Sequence, residues 1–388
     1  MKAPLLLSLC LSCLAWASPL SAHPPPPPAE GRPSACPLAT ARSLVRSERT
    51  GREYQLSIAV PEQPAPAAGH PVIYVLDPDA MFHTVVETVR AYERRRHGHG
   101  PHTRAVVVGI GYPPGADGRA ERTLDLTPVA VDDPRVRKPN GGAAAFLDFI
   151  EDELKPIVQR DYPIDPQRQA LFGHSFGGLF VLYALTARPG SFQTYVSASP
   201  SLWYADGQLA GEIERMSARR AGERTPVRVL VVAGEYEQTP SPAVLQEADA
   251  DRIAADLRER AQVDRARSAA GRLASMPGTE AVFQEIAGED HGTVIPAAIS
   301  RGMAFILAGP VPPPVPDAQA YIGMTAEERY RLRLRVRELP DAQRIPWLNR
   351  LKATLHGGLS AEQQEALHDE RNAMDRRHGT RPHAVNAD

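Results

Sequence analysis

The sequence predicts an α/β fold: a mostly parallel central sheet covered by helices on both faces, followed by a C-terminal helical extension. Three observations carry this. Continuous apolar runs of strand length, PVIYVLD, TRAVVVGIG and VRVLVVAG, have the composition of strands buried on both faces. Helix-length segments separate them, and that alternation argues for parallel pairing through helical crossovers. A proline-rich break, GPVPPPVPDA, then gives way to charged, helix-prone sequence.

From the start of the chain, residues 1–22 read as a secretory signal peptide, with a positive charge at Lys2, an apolar stretch from Ala3 to Trp16, and small residues at Ala15, Ala17 and Ala22 for cleavage. The stretch is shorter than the ~20 apolar residues a spanning helix needs. A periplasmic or secreted protein without a stable membrane anchor is therefore expected. Cys10 and Cys13 would leave with the signal, and Cys36 alone cannot form an internal disulfide. Residues 23–44 are expected to be a leader, because Pro24 to Pro28 favour an extended polyproline II spacer over a packed core.

The main domain is expected over 45–308. YQLSIAVP alternates like a half-buried strand, and Met81 to Arg96 reads as a helix between the first two apolar runs. GGAAAFLDFIEDELKPIV places Phe146, Phe149, Ile150, Leu154 and Ile157 on one helical stripe. ALF at 170–172, YVSAS at 195–199 and VRVLVVAG at 227–234 continue the sheet. AVFQEIAG at 281–288 is its last strand and Val294 to Leu307 the last helix. A linker at 309–319 leads to a tail, 320–388, of three charged helical segments, the last opened by a capping box of Ser360 and Gln363. Such a tail suits a packed appendage, an oligomer contact or a site for an envelope partner. Formal net charge is −2, and no basic block carries interleaved aromatics, so nucleic acid is not an expected partner.

LFGHSFGGLF, residues 171–180, puts Ser175 between glycines, after a strand and before a helix. A bare glycine-x-serine-x-glycine is a weak signal, but this context is that of a nucleophile elbow, with Gly173 and Gly177 allowing strand and helix to approach. Serine needs a base to take its proton, and the base needs an orienting acid. In the α/β-hydrolase fold these follow later strands, acid before histidine. His291, in GEDHGTV, stands between the last strand and last helix. For the acid, AGEYEQ offers Glu237 first and Glu235 as the alternate. Asp290 is a third candidate, and a serine–histidine dyad stays open. The oxyanion donors are expected to be the backbone N–H of Phe176 and one near Asp79, in the loop after YVLD. His97, His99 and His102 lie in a glycine-rich stretch with no second ligand cluster. No metal site and no cofactor are expected.

In order, IYVLDPDAMF, VVVGIGYP, RTLDLTP, GGAAAFLDFIEDELKPIV, LFGHSFGGLFVLYAL and YVSASPSLWY resemble the esterase branch of the α/β-hydrolases. Within it the chain is most similar to periplasmic esterases that open trilactone siderophores of the enterobactin and salmochelin type. The likeness covers roughly 45–308. It implies Ser175 as nucleophile and His291 as base, with Arg122 holding an anionic ferric catecholate and Trp203 lining the pocket. Arg122 has a competing role in an ion pair with Asp125 or a neighbouring carboxylate, and Trp203 one in the core. DPD replaces the usual aspartate–glycine pair of the oxyanion loop, and the tail lies outside the pattern. The implied activity is serine esterase chemistry on a small-molecule ester, a ferric siderophore, in iron acquisition. A general carboxylesterase for small acyl, feruloyl or peptidyl esters is the alternative, and an inactive hydrolase-fold binding protein the non-enzymatic one.

Overall fold

A strand that is apolar along its whole length is stable only where helices cover both of its faces. The computed structural model describes residues 40–94, 103–219, 227–307, 313–337, 339 and 341–378. The expected signal peptide, the expected leader up to residue 39, and His97, His99 and His102 lie outside the described residues. Among the described residues, eight strands form one sheet in the order β1-β2-β4-β3-β5-β6-β7-β8. They are β1 (Thr40–Arg46), β2 (Glu53–Ala59), β3 (His70–Leu76), β4 (Val106–Gly111), β5 (Ile164–His174), β6 (Thr194–Ala198), β7 (Val227–Gly234) and β8 (Thr279–Ile286).

β1 pairs antiparallel with β2, and β2 antiparallel with β4. Every other pairing is parallel. β3, β4 and β6 are buried at every residue, as their apolar runs require. Two apolar cores follow, one on each face. Phe146, Phe149, Phe180, Leu182 and Leu273 join the first. Met81, Phe82 and Val85 of helix α1 (Pro78–Glu93) meet Ile299 and Met303 of the helix Val294–Leu307 in the second.

Three boundaries differ from the sequence reading. β1 begins at Thr40, inside the expected leader; it is an exposed edge strand, so it carries no apolar run to announce it. Helix α1 begins at Pro78, because proline is preorganised for the first helical position, where no N–H is needed. The linker ends early too: Asp317 caps a short helix, Ala318–Gly323, by accepting from the Ala320 N–H at 2.7 Å.

Beyond it the helices Ala326–Arg337, Asp341–Gly358 and Ala361–Arg377 pack around Tyr321, Leu332, Val336, Trp347 and Leu351. The expected capping box is present: Gln363 N–H donates to Ser360 Oγ at 3.2 Å, and Ser360 N–H to Gln363 Oε1 at 3.0 Å.

Candidate active site

Parallel strands deliver the loops at their C-terminal ends to one edge of the sheet. The segments that follow β5, β7 and β8 there each carry a residue with hydrolytic chemistry. β5 stops at His174 and the next helix, Phe176–Ala187, starts two residues later, so the reversal falls on Ser175 alone, at φ 62° and ψ −119°. That left-handed φ is strained for a residue with a Cβ. The elbow is held by the Ser175 N–H, which donates to Ala198 O at 3.0 Å. Close packing needs glycine at two positions: a Cβ on Gly173 would lie 2.4 Å from Gly177 O, and one on Gly178 2.6 Å from Ala198 O. Gly177, named from the motif, has more room; its nearest neighbour would be Asp77 Oδ2 at 3.4 Å.

His291, in the loop after β8, brings Nε2 to 3.0 Å from Ser175 Oγ and Nδ1 to 2.6 Å from Glu237 Oε2. A carboxylate only accepts, so Nδ1 carries the proton and the Nε2 lone pair faces the serine. Glu237 sits in a short 3-10 turn directly after β7 and is 3% exposed. Its other oxygen, Oε1, accepts from Ser199 Oγ at 2.5 Å and from the Gly234 N–H at 2.7 Å. Burial alone would raise the pKa of this carboxyl; the His291 hydrogen bond and charge, with Ser199 and Gly234, outweigh it and hold the group below its ordinary value.

The other two acids serve the loop that carries His291. Glu235 Oε2 accepts from the Gly288 N–H at 2.8 Å, and Asp290 Oδ1 from the N–H groups of Gly292 and Thr293 at 2.8 and 2.9 Å. The geometry is that of a serine–histidine–acid triad with Glu237, and neither Glu235 nor Asp290 takes the acid's place.

His174 is 9% exposed and packs its ring 4.6 Å from that of His291. Its Nε2–H donates to the backbone carbonyl of His291 at 2.9 Å. Burial first, and the neighbouring His291 second, lower its pKa to about 4, so this imidazole is neutral at physiological pH.

Arg122 takes the second of its two expected roles. Its Nε and Nη2 donate to Asp77 Oδ1 and Oδ2 at 2.6 and 2.8 Å, and Nη2 also reaches His174 O at 3.2 Å. This is a bidentate pair with the residue that opens the oxyanion loop, not with Asp125, which is held by Arg52 and by the Tyr112 hydroxyl. A guanidinium so engaged positions protein before it holds ligand. Asp77 itself lies in the left-handed region, φ 50° and ψ 55°. Pro78 has no N–H, so the DPD loop can offer the backbone of Asp77 or of Asp79. Asp79, with its side chain exposed, stands on the first turn of α1. The Phe176 N–H opens its helix, where N–H groups lack an intrahelical acceptor.

Trp203 is half-buried beside the nucleophile's neighbour, its ring 6.1 Å from that of Phe176. Arg135 and Arg260 set guanidinium carbons 5.1 and 5.4 Å from its centre. Sequence reasoning missed Ser199, Ser201 and the pairing of Asp77 with Arg122; the serines of SASPS carry no periodic signal, and Asp77, which from the sequence could cap the helix but makes no side-chain cap, is linked to Arg122 only through space.

A serine at a strained elbow, a histidine with its lone pair aimed at the serine, and a buried carboxylate behind it define the apparatus of a serine hydrolase on an α/β-hydrolase sheet. The chain belongs to the esterase family: residues 47–283 match the family described as "Putative esterase". It is an ester-hydrolysing enzyme.

The chain is 36% identical over 273 residues to the ferri-bacillibactin esterase BesA of Bacillus subtilis, covering 68% of this chain and 88% of that one. It is 32% identical over 288 residues to the siderophore triacetylfusarinine C esterase of Aspergillus fumigatus, covering 71% and 95%. Among solved structures, the siderophore hydrolase EstA from Aspergillus nidulans superposes with a TM-score of 0.62 at 28% identity, covering 72% of this chain and 97% of that one.

Proposed function

We propose that this esterase hydrolyses the ester bonds of a trilactone catecholate siderophore, so that iron can be released. What carries the substrate class is the likeness, over most of their length, to relatives named for siderophore ester hydrolysis. What carries the mechanism is the relay of 3.0 and 2.6 Å from Ser175 through His291 to Glu237. Ser175 Oγ attacks the ester carbonyl while His291 Nε2 takes its proton, and Glu237 stabilises the imidazolium that forms. Backbone N–H groups of Phe176 and the Asp77–Asp79 loop hold the oxyanion. His291 then returns the proton to the leaving alcohol, and water, activated the same way, clears the acyl-enzyme. No cofactor takes part in these steps; iron belongs to the substrate.

The His291 side chain is 49% exposed, which favours a bulky ester that approaches from solvent over one threaded into a narrow acyl tunnel. With Arg122 engaged by Asp77, and Arg135 likewise by Asp133 and Glu259, attraction for an anionic complex would fall to other groups, among them Arg260 beside Trp203. Cleavage near residue 22 would place the enzyme in the periplasm or outside the cell. The tail would serve an oligomer contact or an envelope partner.

Labelling the intact protein with a fluorophosphonate and mapping the adduct tests the nucleophile. The label belongs on Ser175, and an adduct elsewhere would overturn the assignment. Cell fractionation tests export, since recovery of uncleaved protein in the cytoplasm contradicts it. For the tail, truncation near Gly309 should lower the number of subunits per particle in solution, and an unchanged number counts against an oligomer contact.

A further inference from the structure

The serine-rich turn after β6 touches both ends of the triad. Ser199 Oγ donates to Glu237 Oε1 at 2.5 Å, and Ser201 Oγ lies 3.3 Å from Ser175 Oγ. Ser201 is 2% exposed, and its N–H donates to the Ser175 carbonyl at 3.2 Å, so its position follows the elbow.

Counting protons decides which hydroxyl donates. Nδ1 of His291 carries its proton toward Glu237, so Nε2 is an acceptor and the single Ser175 proton points to it. The proton between the two serines is then that of Ser201, donated to the nucleophilic oxygen.

We propose that Ser201 is a catalytic residue that donates a hydrogen bond to Ser175 Oγ; the proposal rests on Ser175 being the nucleophile. At 3.3 Å the bond is longer than a relaxed O–H···O contact, hence weak toward neutral serine. It strengthens when His291 removes the Ser175 proton and negative charge builds on Oγ. It fades once Oγ is bonded to the acyl carbon as an ester oxygen. When the second tetrahedral intermediate collapses, the bond between Oγ and the acyl carbon breaks, Oγ leaves with the electron pair, and His291 returns a proton to it. Ser201 donates again at that moment. An interaction stronger in both transition states than in either ground state accelerates the reaction.

The experiment compares wild type with Ser201→Ala, Ser201→Thr and Ser175→Ala, using a p-nitrophenyl ester with burst and steady-state phases resolved, and thermal unfolding of each. The proposal expects Ser201→Ala to lower both acylation and deacylation about tenfold, as the loss of one hydrogen bond to a developing charge does. Substrate binding, read from the concentration dependence of the burst rate, and the unfolding temperature should hold, and Ser201→Thr, which keeps the hydroxyl, should restore most of the rate. Ser201→Ala within twofold of wild type in both phases would overturn the proposal. So would equal losses in the alanine and threonine variants accompanied by a lowered unfolding temperature, which mark a packing role. Activity retained in Ser175→Ala would instead overturn the nucleophile on which the proposal stands.

Discussion

Acid should weaken the fold through one imidazole. His174 is buried against His291, and its pKa falls from an ordinary 6.5 to about 4 in the folded chain. As pH drops, the unfolded chain takes up the proton first, so the folded state is stabilised in full above about pH 6.5 and loses that contribution as pH falls toward about 4. At about 1.4 kcal/mol per pH unit, the gap corresponds to about 3 kcal/mol, a large part of the 5–15 kcal/mol or so typical of a domain. Urea unfolding of wild type and His174→Gln between pH 7 and pH 4 isolates the term. The glutamine amide can still donate to the His291 carbonyl but does not titrate, and groups common to both proteins cancel in the difference. Wild type should lose about 3 kcal/mol more than the variant across that range. Parallel curves would refute the assignment of a buried, neutral His174.

The remaining predictions concern the triad and its supports. Glu237→Gln should lower kcat by about 10³-fold or more, because the imidazole loses the group that fixes its tautomer; Glu235→Gln, which only loosens the Gly288 contact, should cost far less, and steady-state kinetics of the two separates acid from loop support. Arg122→Met should lower stability by about 1–3 kcal/mol in urea unfolding, since Asp77 is left partly buried without its partner, and adding Asp77→Asn should recover much of it; unchanged stability with a raised KM for a ferric catecholate would give Arg122 to the substrate instead. Gly178→Ala should destabilise by about 2 kcal/mol or more in the same assay, because its Cβ would press on the Ala198 carbonyl.

The sheet was legible because burial on both faces leaves a simple mark, an unbroken apolar run. The bounds of VRVLVVAG, for example, are those of β7. β1 escaped because TARSLVR at an exposed edge needs no such run, and the helix at Ala318 because prolines precede it. Ser175 and His291 were legible from a turn motif and a place in the strand order, which are properties of the chain. The choice between Glu237 and Glu235 was open because both follow β7 in one turn. Only the inward turn of Glu237, met by Ser199 and Gly234, separates them. Arg122 shows the same limit: from RTLDLTP its guanidinium could serve substrate or carboxylate, and the bidentate partner, Asp77, is 45 residues away.

The central claim is tested most directly by following hydrolysis of a catecholate trilactone, enterobactin with and without iron(III), beside a short-chain p-nitrophenyl ester, by the wild-type protein and its Ser175→Ala variant. Cleavage of the trilactone that disappears in Ser175→Ala and outpaces turnover of the aryl ester is the predicted result. Serine-dependent activity confined to the aryl ester would contradict the siderophore assignment while leaving the esterase intact.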